Sequence, residues 1–137
     1  MATNTAGSVA REYATQQVHY LRKRITYAVE NTAINIGVMP PNALVVGGGV
    51  MTVTAFNDSG TDTLDIGFVG GTTDADGYAT LLDLSAVGYI ILDELGATTN
   101  IMQTVATTVT CIYNGQNNNA SAGVAEVVIM YVVDNDQ

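Results

Sequence analysis

The stretch ALVVGGGVMTVTAF, residues 43–56, decides the fold class of this chain. After its three glycines, apolar residues alternate with Thr52 and Thr54, which is the period of a β-strand with one buried face. Glycines 47–49 inside such a run predict a β-bulge or bend, or the close approach of another backbone. They do not form a phosphate-binding loop, because no lysine follows them.

Similar short alternating segments lie on both sides of this stretch, separated by turn-forming residues at 57–60, 70–77 and 114–123. Eight or nine short strands without a long amphipathic helix indicate a β-sandwich or a closed barrel. Of these we favour an all-β, jelly-roll-like antiparallel β-sandwich. The other strand candidates are residues 25–29, 34–38, 64–68, 89–92, 101–105, 107–113 and 125–133, and residues 80–87 fit either a strand or a helical turn.

The first residues differ from the rest of the chain. Residues 1–17 are small and polar and show no clear period, which predicts an extended arm. The basic cluster Arg22–Lys23–Arg24 follows, and β-type alternation starts after it. We therefore predict two parts, an extended N-terminal arm at residues 1–24 and a β-sandwich domain at residues 25–137.

Charge divides at the same boundary. The net charge is −9, with +3 on residues 1–24 and −12 on residues 25–137, which contain no Lys or Arg. A body without cations cannot neutralise phosphates, so we expect no nucleic-acid partner. The basic cluster fits either a solvated arm or a segment that docks on an acidic partner surface, and the residues leave both interpretations open.

Neither catalysis nor metal binding is indicated. The single cysteine, Cys111, excludes an internal disulfide and a thiolate zinc site, and with His19 it forms the only conceivable nucleophile set. Cys111 alternates with apolar residues, so we expect a buried, unreactive thiol. We therefore expect no enzyme activity, no catalytic residue and no cofactor. No run approaches 18 apolar residues and no signal peptide is visible, so we expect no membrane partner and a chain made in a cytosol-like compartment or packed into something assembled there.

Carboxylates provide the remaining metal candidates. Asp58, Asp62 and Asp65, or Asp74 with Asp76, contain the oxygen ligands that calcium prefers. Their spacing matches no calcium loop, and aspartates at such positions usually form turns. We therefore predict turn-forming roles and no metal site.

Residues 40–67, PPNALVVGGGVMTVTAFNDSGTDTLDIG, resemble small virion proteins of tailed bacteriophages, of the capsid decoration or cement type. The shared pattern is a proline-led turn, a valine-rich strand ending in Ala-Phe-Asn, and a Gly-Thr-Asp-Thr-Leu-x-Ile-Gly strand. The likeness continues through residues 73–77 to the glycine-led, valine-rich segment 123–133. It covers about residues 40–133 and leaves the arm outside.

The resemblance implies a jelly-roll-like protein on the outer capsid surface of a virion, with the major capsid protein and further copies of itself, as a homotrimer, for partners. It carries no catalytic residue to this chain. We predict a cement protein that stabilises the assembled head, with capsid contacts from Arg11, Arg22, Lys23 and Arg24. The alternatives are a neck, tail or head-fibre-base protein and, from another class, a calcium-dependent carbohydrate-binding module.

Overall fold

The computed structural model describes residues 17–134, which form eight strands in two four-stranded antiparallel sheets, sheet A and sheet B. Sheet A has the order β1-β8-β3-β6 and sheet B the order β2-β7-β4-β5. The strands are β1 Val18–Thr26, β2 Ala33–Met39, β3 Leu44–Thr54, β4 Asp62–Val69, β5 Thr73–Asp83, β6 Gly88–Ile91, β7 Thr107–Gly115 and β8 Val124–Val132.

This strand order is that of an eight-stranded jelly roll, so the predicted fold class is confirmed. Strand β1 packs across from β2 at one lateral side of the sandwich. At the opposite side, the N–H of Glu94, shortly after β6, donates to the carbonyl of Tyr78 on β5. The β1–β2 edge and the β5–β6 edge therefore lie on opposite sides.

Alternate residues of both sheets point inward and form one core. Phe56 packs edge-on against Tyr113 with ring centroids 4.6 Å apart, and Phe68 packs against Tyr78 at 4.9 Å. Burial of this apolar surface is the main favourable term in folding. Fully buried members from the two sheets are Val50, Leu64, Ile66, Phe68, Val109, Tyr113, Val127 and Ile129.

The glycines of β3 fulfil both predicted roles. The β3–β8 register shifts between Val45 and Gly47, which marks a bulge. Gly48 has φ +135°, and a Cβ there would overlap the carbonyl oxygen of Val128. A Cβ at Gly49 would overlap the carbonyl oxygen of Ile90, so β3 needs glycine to lie this close to both neighbouring strands.

Three local predictions were wrong. Residues 73–77 begin β5 instead of forming a loop, because two register shifts in the β4–β5 ladder accommodate turn-type residues within a strand. Tyr27–Val29 forms a 3₁₀ turn, although a strand was predicted for residues 25–29. Residues 101–105 form a loop that meets β3 through one bridge, Leu44 to Met102.

The predicted boundary between residues 24 and 25 falls inside β1. This strand pairs with β8 in unbroken register from Val18 to Thr26, so residues 18–24 belong to the sandwich. The sequence pattern missed this strand because β1 lies at the edge of its sheet. Its inward-pointing residue Lys23 is exposed, so polar residues occur on both faces of β1 and the alternation is lost. Residues 1–16, including Arg11, lie outside the described residues.

Candidate interaction surface

The outer faces of the two sheets differ in chemistry. Sheet B presents mainly polar side chains at its centre, among them Thr63, Asp65, Thr108, Thr110 and Asn114, and its exposed apolar residues Val38, Val69 and Leu81 lie on its edge strands or at a strand end. Sheet A presents exposed apolar side chains instead, and we call its outer surface the apolar face. These side chains include Val18, Tyr20, Val46, Met51, Tyr89 and Ile91.

Strand β8 extends the apolar face through its centre. Residues 127–133 are seven successive apolar residues, a pattern typical of strands that are buried on both faces. The inner side chains Val127, Ile129 and Tyr131 are buried, whereas the outer side chains of Val128 and Met130 are only partly covered. Exposed apolar side chains grouped on one face of a sheet make that face a candidate for binding a partner.

A cluster of three charged side chains lies on the same outer surface, on β1 and β8, where Glu126 is paired with Met51 of β3. Arg22 Nη2 lies 3.2 Å and Arg24 Nε 3.0 Å from the same oxygen, Oε1 of Glu126. Partial burial opposes ionisation of Glu126, but the two guanidinium groups outweigh it and lower the pKa of this carboxyl. The side chains of Arg22 and Arg24 remain 61% and 63% exposed and are therefore accessible to a partner.

Lys23 lies on the other face of β1. It shares the inward side with Leu21 and Ile25 but is exposed, because the edge strand leaves the seam between the sheets open at this point. An inward-pointing charge on an edge strand discourages pairing with strands of other molecules. The structure therefore groups Arg22 with Arg24 and separates Lys23 from them, while Arg11 is outside the described residues.

An acidic cluster of buried Asp58 and Asp62 with half-buried Glu30 lies at one end of the sandwich. Sequence reasoning missed Glu30 because a single glutamate after a 3₁₀ turn matches no motif. Burial opposes ionisation of Asp58, but the N–H groups of Gly60, Asn119 and Asn117 outweigh it and lower the pKa of Asp58 to about 2. These bonds tie the turn after β3 to the loop after β7, which is a structural role.

The turn-forming role predicted for the other aspartates was wrong for Asp65, which lies within β4 and accepts from Leu81 N–H and from the side-chain amide of Asn114. Asp74 makes a local bond of the turn type at the start of β5. Oδ1 of Asp74 accepts from the N–H of Asp76, two residues later, as Oδ1 of Asp58 does from Gly60. Asp74 and Asp76, with Thr80 and Glu94, line a shallow cavity of about 250 Å³. Among residues 17–134, no three His, Cys, Asp or Glu side chains are grouped to hold a metal ion.

The residues of the conceivable nucleophile set have structural roles. Cys111 is buried, as predicted, and burial raises the pKa of its thiol to about 12, so it stays protonated at neutral pH. His19 stacks on Tyr131 with ring centroids 5.7 Å apart. The described part of the chain contains no helix long and apolar enough to cross a membrane.

No protein-family model and no curated protein matches this sequence. Solved structures do match its fold. A chain in the capsid of Ralstonia phage GP4 is 19% identical with a TM-score of 0.66, over 88% of this chain and 86% of that one. A chain in the acid-stable capsid of Helicobacter pylori bacteriophage KHP30 is 17% identical with a TM-score of 0.62, over 83% of this chain and 86% of that one.

A chain in the capsid asymmetric unit of cyanophage Pam1 is similar to the same degree. It is 17% identical with a TM-score of 0.61, and the match covers 85% of both chains. Sequence identities this low show that the folds are similar and nothing further about function. The jelly roll described here is thus the fold of chains from the capsid structures of three phages.

Proposed function

We propose that this chain is a structural protein of a bacteriophage virion, and more specifically a cement protein that binds the outside of the assembled head. The observation that carries the proposal is the apolar face, presented on a fold that also occurs in phage capsid structures. A sandwich with one mainly polar outer face and one more apolar outer face suits a protein that exposes the first face to solvent and binds a partner through the second.

The apolar face is the surface that we assign to the shell. Val46, Met51 and Met130 provide apolar area on this surface, and the Arg22–Glu126–Arg24 cluster provides charge beside Met51. Arg22 and Arg24 would contact carboxylates of the major capsid protein, which adds specificity and orientation to apolar burial. Arg11 remains a proposed contact.

Stabilisation of the head would follow from mass action. A ligand that binds the assembled shell and not its free subunits shifts the equilibrium toward the shell. The acidic body, with no Lys or Arg after Arg24, would be repelled by packaged DNA, which favours the outer surface over the interior.

The test uses heads of the phage that encodes this chain, prepared without it. Purified full-length chain is added, and bound copies are counted after sedimentation and located by electron microscopy. We expect saturable outer-surface binding with hundreds of copies per head, and a higher temperature of head disruption. A dozen or fewer copies at one vertex would identify a neck or tail protein instead, and absence of binding would refute the proposal.

A further inference from the structure

A groove of about 420 Å³ lies at one end of sheet A and is lined partly by apolar side chains. Val132 of β8 pairs with Leu44 of β3, and Leu44 in turn meets Met102 through an isolated bridge. Leu44 and Val132 are only partly covered, and Met102 is exposed. The groove therefore presents a row of apolar side chains to solvent, at the end of the apolar face where β1 begins.

Two polar residues, Asn42 and Asp134, also line the groove. Asn42 has φ +62°, and its N–H donates to the carbonyl of Gln103, which fixes the turn before β3 beside the loop that contains Met102. Apolar side chains next to polar ones suit a ligand group with an apolar ring and a polar tip. Tyrosine is a side chain of this kind.

The chain enters the sandwich directly beside this groove. Val18, the first residue of β1, is exposed and pairs with Val132, which lines the groove. Leu44 lies on the second strand away from Val18, at a distance of about 10 Å. An extended chain advances about 3.3 Å per residue, so Tyr13, five positions before Val18, is close enough along the chain to reach the groove.

Two stretches of sequence outside residues 17–134 can be compared as occupants of the groove. Residues 135–137 are Asn, Asp and Gln and supply no apolar side chain. Residues 1–16 include Tyr13 and, four positions earlier, Val9. Their charged side chains are one Arg and one Glu, which cancel, so the acidic body does not repel this segment. The segment before β1 therefore matches the groove in reach, apolar content and charge.

We propose that residues 1–16 turn back across the end of sheet A of their own chain, with the ring of Tyr13 in the groove beside Leu44, Met102 and Val132. In this position the hydroxyl of Tyr13 meets the polar lining of the groove, which supplies the partner that a buried tyrosine hydroxyl needs. The contact covers one end of the apolar face and leaves Met51, toward the other end, free for a partner. It forms within one chain and does not depend on binding to heads.

Methionine oxidation tests this contact in the full-length chain, without heads. Hydrogen peroxide transfers one oxygen to an accessible thioether, and mass spectrometry follows each methionine separately. Met102 is 54% exposed on the sandwich and Met51 is 37% exposed, so an open groove makes Met102 the faster of the two to oxidise. We expect the reverse order, with Met102 oxidised about fivefold more slowly than Met51, because the segment before β1 shields it.

Tyr13→Asp replaces the ring with a charge and should release Met102, so that it oxidises faster than Met51. Thr5→Asp is the matched control, because it adds the same charge to the same segment at a polar position and should leave Met102 shielded. Faster oxidation of Met102 than of Met51 in the wild type would overturn the proposal, as would equal behaviour of the two variants. Shielding that disappears on dilution would also overturn it and would assign the groove to a second molecule.

Discussion

The hydroxyl of Tyr113 donates a 2.6 Å hydrogen bond to Oδ1 of Asp62, and both residues are buried. The same oxygen accepts from the N–H of Asp58 at 2.9 Å, so a side chain of β7 is connected to the turn that precedes β4. Burial, and then the bond to Asp62, raise the pKa of Tyr113 and keep its hydroxyl a donor. This bond links the core of the sandwich to the end where its acidic groups lie.

Tyr113→Phe removes that donor and keeps the ring in its contact with Phe56. We expect the free energy of unfolding to fall by about 1–3 kcal/mol, because a buried carboxylate oxygen loses a partner. Urea denaturation at pH 7 measures the change. Tyr89→Phe is the control, since Tyr89 is exposed and should lose almost nothing. Equal losses in both variants would contradict a special role for the Tyr113 bond.

Glu30 should make stability depend on pH. Burial, and then the neighbouring Asp58, raise its pKa above 4.5. A carboxyl with a raised folded-state pKa gives its full stabilisation below the unfolded-state value of 4.5, and loses it as the pH rises through the folded-state pKa. The effect of Asp58 on stability has the opposite pH dependence, because its pKa is lowered in the folded state. Its contribution to stability is present above the unfolded-state pKa of 3.8 and is lost as the pH falls toward 2.

Glu30→Gln tests this directly. The side-chain oxygen of glutamine can still accept from the N–H of Ala120. Its NH₂ group would take the place of Glu30 Oε1, which has no hydrogen-bond partner among the described residues, and could act there as a donor. We expect a higher urea midpoint than the wild type at pH 7, and a difference that shrinks as the pH falls to about 4. A difference independent of pH would show that ionisation of Glu30 does not oppose folding.

Alternation predicted most of this fold because the inner faces of the sheets are mainly apolar, with few exceptions such as Thr52 and Thr107. It located β2, β3, β4, β6, β7 and β8 within a few residues and predicted the burial of Cys111. It failed where an exposed edge or a bulge breaks the period, as in β1 and at the start of β5. The apolar face is reflected in the sequence by the unbroken apolar run at residues 127–133. The sequence does not show that the outer side of this strand lacks a covering layer, because that follows from the order of the strands in the two sheets.

Gly48→Ala should be severely destabilising. The added Cβ would overlap the carbonyl oxygen of Val128, and alanine at φ +135° is strained wherever it is placed. The loss should reach about 3 kcal/mol, the upper end for a strained backbone position, and reduce soluble yield. Gly96→Ala is the control, because a Cβ at Gly96 meets no atom within 4 Å. A stable Gly48→Ala protein would mean that β3 and β8 can separate at this point.

Val46→Glu should abolish binding to heads without unfolding the chain. Val46 is 48% exposed near the centre of the apolar face, so a glutamate there is solvated in the free protein. Docking would bury that charge without a partner, at a cost of several kcal/mol, and each 1.4 kcal/mol lowers affinity tenfold. Thr110→Glu places the same charge on the polar outer face of sheet B and should bind like the wild type. Normal binding by Val46→Glu together with weak binding by Thr110→Glu would assign the shell contact to sheet B, and the apolar face would then need another partner.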